Sequence, residues 1–136
     1  MKNTRQKITT FLMFDGNAEE AMTLYTSLFD QSEIINISRY GANDPGKEGT
    51  VMHATFTLNR QEFMCIDSSV KHEFTFTPSM SLYVNCDAEA EIDEVFNKLA
   101  QEGEVLMPLA VYPFSKKFGW LNDKYGVSWQ LNFSAN

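Results

Sequence analysis

The chain alternates between two hydrophobic periods. From Lys7 to Phe14 the side chains sort at every second position, with Thr10, Leu12 and Phe14 on one side and Phe11 and Met13 on the other, as in a strand. From Asn17 the spacing changes to threes and fours. Ala18, Ala21, Met22, Tyr25, Leu28 and Phe29 then share one face of a helix. Asn17 is the expected N-cap, with Glu20 three residues on completing a capping-box variant. Strand patterning returns in Glu33–Tyr40, Thr50–Leu58 and Phe63–Asp67. In the middle run Met52, Ala54, Phe56 and Leu58 form the face expected to pack on the helix, and Val51, His53, Thr55 and Thr57 the opposite one. Gly41–Gly49, with three glycines and a proline, is an exposed loop and a candidate flap.

The same order then repeats beyond a link, Ser68–Pro78. Leu82 and Val84 face a second helix, while Ser81, Tyr83 and Asn85 share the other face of their strand. Asn85–Ala100 carries the apolar stripe Ile92, Val95, Phe96, Leu99 and Ala100, capped by Asp87 or a neighbour and ended at Gly103. Pro108 makes Glu104–Tyr112 an edge strand running into a loop. Phe118–Leu121 and Val127–Phe133 form a hairpin around Asn122–Gly126. Its last strand turns Trp129, Leu131 and Phe133 to the core and Ser128, Gln130 and Asn132 away from it. The expected fold is α+β: two βαβββ modules, about 7–67 and about 79–133, forming a curled mixed sheet with a cleft in a single domain of 136 residues.

Composition narrows the function. The chain is 43% apolar and 13% aromatic, enough to fill a core. Its net charge of −7 argues against nucleic-acid or anionic-membrane partners, which need clustered Lys and Arg. The one dense basic spot, Lys116-Lys117, is read as a solvated turn. No apolar run approaches the ~20 residues of a membrane span, and the charged start MKNTRQK lacks the apolar segment of a signal peptide. Cys65 and Cys86 form neither a disulfide framework nor a CxxC site, so both are expected reduced in the cytoplasm.

Opposite the helices, the strands present a mixed face: Thr10, Val51, His53, Thr55, Ser81, Tyr83, Gln130 and Asn132. A polar and aromatic face that curls on itself suits a small ligand. His53 is the candidate acid, base or donor, or else a structural histidine bonded to a neighbouring strand. Asp67 is a candidate partner of His53, or a solvated strand end, and Cys65 shares its face. Tyr83, Tyr112, Phe114 and Trp120 are candidates for an aromatic wall, whereas Trp129 belongs to the core. The seven glycines never occur as GxG, so no nucleotide-like cofactor site is expected.

The phrases F-x-G-N-A-E-E-A-x-x-L-Y (Phe14–Tyr25), V-M-H-A (Val51–Ala54), C-I-D (Cys65–Asp67) and F-G-W-L-x-D-x-Y-G-V-S-W-Q-L (Phe118–Leu131) resemble the PhnB-like branch of the glyoxalase/bleomycin-resistance/dioxygenase, or vicinal-oxygen-chelate, superfamily. That branch is often described as 3-demethylubiquinone 3-methyltransferase-like. The resemblance implies two βαβββ units, a cleft and a homodimer. Metal-dependent members take His, Gln or Glu ligands from the first and last strands of each unit. Carried over by spacing to the helices, those positions fall on Thr10, Ser81, Gln130 and the neighbourhood of Met64–Ile66, with Asp67 the nearest carboxylate. Thr, Ser and Gln are a poor set for a divalent ion. The expectation is therefore a small-molecule binding protein without metal or cofactor. Its ligand, possibly aromatic, would meet Thr10, His53, Cys65, Ser81, Tyr83, Trp120 and Gln130. One alternative is a divalent-metal lyase of the glyoxalase type with His53, Asp67 and Gln130 as relocated ligands. Another is an interaction-only homodimer with a filled cleft.

Overall fold

The computed structural model describes residues 6–134; the charged start at 1–5 lies outside them. The elements run β1 (Thr10–Phe14), α1 (Ala18–Leu28), β2 (Glu33–Arg39), β3 (Val51–Leu58), β4 (Gln61–Asp67), β5 (Ser81–Cys86), α2 (Glu89–Ala100), β6 (Glu104–Tyr112), β7 (Ser115–Asn122) and β8 (Ser128–Phe133). The order βαβββ thus occurs twice. The chain divides into two compact units, 1–73 and 74–136. Each holds its own four-stranded sheet, ordered β1-β4-β3-β2 and β5-β8-β7-β6. The architecture is α+β with two βαβββ modules, as expected, and each module contributes one four-stranded mixed sheet.

In the first unit β1 lies parallel to β4, and β4, β3 and β2 are antiparallel in turn. The register places Leu12 beside Cys65 and Cys65 beside Ala54, so these residues share the face covered by α1. Ala18, Ala21, Met22 and Tyr25 of α1 are buried against it, as are Phe14, Phe56, Leu58 and Phe63. The pairing of β2 with β3 departs from strict alternation twice, at Ile35 of β2 and at Met52 of β3. Ser38 pairs with His53 and Arg39 with Val51, so Met52 is an extra residue in β3, a bulge. Val51 is consequently buried and Met52 is 39% exposed, the reverse of the alternating reading.

The second unit repeats the plan. β5 runs parallel to β8, and β8, β7 and β6 are antiparallel. Ile92, Val95, Phe96 and Leu99 of α2 are buried together with Leu121, Trp129 and Leu131. Gly119 lies under Phe96: an added Cβ would come within 2.4 Å of its ring. β6 is an edge strand, as Pro108 requires, yet it runs on to Tyr112 with three register irregularities instead of dissolving into a loop. Lys117 is no solvated turn residue. It sits in β7 and pairs with Glu89 at 3.0 Å and Asp93 at 2.6 Å of α2, and these carboxylates raise its pKa.

Neither helix is capped as its sequence suggests. Asn17 makes no side-chain cap bond. The cap of α1 comes instead from β4: Asp67 Oδ1 accepts the Gly16 and Ala18 N–H groups at 2.8 and 3.0 Å, and its Oδ2 accepts Val51 N–H at 2.9 Å. Asp67 is 2% exposed, so it is neither a solvated strand end nor a partner of His53. α2 begins after Ala88, with no side-chain bond from its cap residue; Glu91 reaches back to accept Asp87 N–H at 2.8 Å.

Candidate functional site

Each sheet has one face turned away from its helix. In the first unit that face carries Phe11 and Met13 of β1, Met64 and Ile66 of β4, and His53 and Thr55 of β3. Thr10 is not on it. Its register partner is Phe63, and both lie on the helix side with Leu12 and Phe14. The linker explains the misplacement. Three residues, 15–17, join β1 to α1, but only two, 87–88, join β5 to α2. Counting back an equal distance from each helix therefore selects opposite faces, since the strand period is two. Cys65 is likewise removed from any open face. It is fully buried on the helix side, and burial, then the nearby Asp67 charge, push its thiol up to about 12. His53 is exposed, its ring 6.4 Å from that of Phe11 in a stacked arrangement. No hydrogen bond ties it to a neighbouring strand among the described residues.

The open face of the second sheet is more ordered. The pairing lays side chains in three rows across β5, β8 and β7: Ser81, Ser128 and Asn122; Tyr83, Gln130 and Trp120; Asn85, Asn132 and Phe118. Ser81, Tyr83, Trp120 and Gln130, four of the sequence candidates, are thus brought onto one surface. They are linked by bonds as well as by position. Gln130 Nε2 donates to Ser81 Oγ at 3.2 Å, the Ser81 and Ser128 hydroxyls meet at 2.6 Å, and Trp120 Nε1 donates to Ser128 Oγ at 2.9 Å. In the third row Asn132 donates to Asn85 at 3.2 Å and accepts a bond from Ser115. An aromatic cluster stands beside this network. Phe118 is the hub, with Phe114 edge-on at 5.0 Å, Tyr112 edge-on at 5.9 Å and Tyr83 tilted at 6.3 Å. Tyr83 is 54% exposed and Phe114, stacked on Tyr112, is 61% exposed, so the cluster presents aromatic surface to solvent.

Two partners in this surface escaped the sequence reading. In the sequence Ser128 is one more polar residue of a mixed face, yet it is 1% exposed and joins Trp120 to Ser81. Phe118 looks in the sequence like any apolar hairpin residue, but its alternation with Trp120 sets both on one face. Trp129, by contrast, is in the core as its position predicts. Its indole donates to Asp123 Oδ2 at 2.9 Å, while Asp123 Oδ1 accepts Tyr125 and Val127 N–H and so shapes the β7–β8 turn.

The positions that would hold a divalent ion do not suit one. Thr10 faces the helix, and both oxygens of Asp67 are taken by three backbone N–H groups. Ser81 and Gln130 bond to each other. Among the described residues no three His, Cys, Asp or Glu side chains converge. This donor set falls short of what divalent ions select.

Residues 6–132 match the protein family described as 3-demethylubiquinone-9 3-methyltransferase. The chain belongs to this family. Its fold is that of the glyoxalase/bleomycin-resistance superfamily. Among solved structures it is similar to a PhnB protein from Bacillus cereus, with 78% identity over 95% of this chain and 100% of that one and a TM-score of 0.94. It is also similar to protein PA1353 from Pseudomonas aeruginosa, with 27% identity over 97% and 100% of the two chains and a TM-score of 0.84. At 13% identity, over 96% of this chain and 93% of that one, it shares its fold with the fosfomycin-resistance protein FosX from Listeria monocytogenes, complexed with Mn(II) and 1S,2S-dihydroxypropylphosphonic acid (TM-score 0.61). No functionally curated protein gives a significant match.

Proposed function

We propose that this PhnB-like protein binds a small organic molecule on the open face of its second sheet and does so without a metal ion. The observation that carries this reading is the bonded row of Ser81, Ser128, Gln130 and Trp120 beside solvent-facing aromatic rings. A few fixed polar groups among aromatic side chains are the usual lining of a ligand site. The unsuitable donor set at the superfamily's metal positions supports the second half. Methyl transfer, the activity in the family description, finds no support in the β1–α1 turn. That turn has one glycine, with no glycine-rich run to hold a nucleotide-like cofactor. The reading includes a homodimer in the cytoplasm, and light scattering on the purified protein tests the first of these. No helix of the described residues is long and apolar enough to cross a membrane.

A thermal-shift screen against aromatic metabolites and glycopeptide-type drugs tests the function. A ligand at a hundredfold its Kd adds about 2.7 kcal/mol of stability. The expected hits raise the melting temperature of the native chain and lose their effect in Gln130→Ala, while divalent ions alone leave it unchanged. A broad screen without hits contradicts the binding reading. Stabilisation by a divalent ion that vanishes in His53→Ala contradicts its metal-free part and favours a lyase.

A further inference from the structure

We propose that the ligand is a neutral, planar aromatic compound whose edge carries a hydrogen-bond donor beside an acceptor, as a lactam or carboxamide does. This rests on the proposed function of the second sheet and names its ligand class. Gln130 stands directly between Tyr83 and Trp120 in the central row, an amide flanked by two aromatic residues. Ser128 is almost fully buried and already accepts the Trp120 indole N–H, so its own hydroxyl hydrogen must find an acceptor within the protein. Ser81 Oγ, 2.6 Å away, is the one in reach. Ser81 Oγ therefore accepts from both Ser128 and Gln130, and its hydrogen is left to donate outward. Gln130 spends one N–H on Ser81, which leaves its second N–H and its carbonyl oxygen uncommitted. A ligand edge with N–H beside C=O pairs with that amide in both directions. The outward Ser81 hydroxyl hydrogen and the uncommitted Gln130 amide together offer donors beside an acceptor, so the face matches a ligand edge that brings both.

Charge sets the other limit. The three rows contain only Ser, Asn, Gln, Tyr, Trp and Phe. Lys117, in the same strand as Trp120, is engaged by Glu89 and Asp93. Lys116 follows Phe118 on this face at the far end of β7, so an anion on the central row would give up hydration with no counter-charge in its own row or the rows beside it, which is unfavourable. The exposed rings of Tyr83 and Phe114 favour a flat aromatic body.

Calorimetric titration of the full chain with isoquinolone, quinoline and naphthoate tests the inference, since the three share a bicyclic shape. Isoquinolone offers the donor and acceptor, quinoline the acceptor alone, and naphthoate a charge. Isoquinolone is expected to bind at least about fivefold tighter than quinoline, the worth of roughly one net hydrogen bond. Naphthoate should bind more weakly than either. Gln130→Leu should bring isoquinolone and quinoline to equal affinity, and Ser81→Ala, a milder change, should narrow the gap. Tightest binding by naphthoate, lost in Gln130→Leu, overturns the ligand class while leaving the site in place. A preference for isoquinolone that both variants retain overturns the site as well. Absence of binding by all three overturns the ligand class, and the thermal-shift screen then decides the fate of the site.

Discussion

Asp67 shows how a residue with the look of chemistry can be wholly structural. Its carboxylate joins the β1–α1 turn, the first turn of α1 and the start of β3 through three backbone N–H groups. Hydrogen bonds to a buried charge contribute more than neutral ones, and an orphaned buried donor costs its desolvation. Asp67→Ala should therefore lose about 3 kcal/mol in urea unfolding, given ~1.5 kcal/mol or more per charge-assisted bond and partial relaxation; a loss under about 1 kcal/mol would contradict the hub role. The cysteines make a second case. Burial is the first cause that pushes both thiols from 9.0 up to about 12, with nearby carboxylates adding to it. A raised thiol pKa means that the unfolded chain holds fewer protons between those values. Stability from this source is thus complete below pH 9.0 and falls as pH climbs towards 12. Neither thiol should react with iodoacetamide at pH 8 in the native protein, and both should react in denaturant. Mass spectrometry reads the difference, and rapid native alkylation would contradict the burial.

At the level of elements, the sequence made existence and type plain because each period is long and clean. The stripes of α1 and α2 and the alternation of β8 all survive in the structure. Caps and faces were harder. The cap of α1 is supplied from a strand some 50 residues away, and Met52 carries no mark of a bulge that exchanges its place with Val51. Gly103 does follow the end of α2, but Glu102 takes the left-handed backbone at φ 60°. The glycine is needed because a Cβ there would lie 2.3 Å from the Asn122 carbonyl oxygen. The contact of Gly119 with Phe96 is equally invisible locally, yet it sets how closely α2 approaches β7. Gly119→Ala should cost about 1–3 kcal/mol, the usual penalty of overpacking. Wild-type-like stability in thermal unfolding would show that Phe96 can swing aside.

At the level of the whole molecule, one supersecondary plan is used twice with different chemistry on the uncovered faces. The first unit offers Phe11, Met13, Met64 and Ile66 with His53 among them; the second offers a hydrogen-bonded polar row and an aromatic cluster. The repeat was legible from periodicity alone. The contrast was only partly so, because it turns on a one-residue difference in linker length that moves Thr10 to the far face. The central claim is that the second unit's open face binds ligand without metal, and the two tryptophans test it directly. Their indole N–H groups have different acceptors, Ser128 for Trp120 and Asp123 for Trp129, and so give two distinct nitrogen-15 NMR signals. With the best ligand from the screen, in the presence of a chelator, the Trp120 signal should move and the core Trp129 signal should stay. A ligand that binds but leaves Trp120 unmoved, or that needs added divalent ion to move it, would contradict the account.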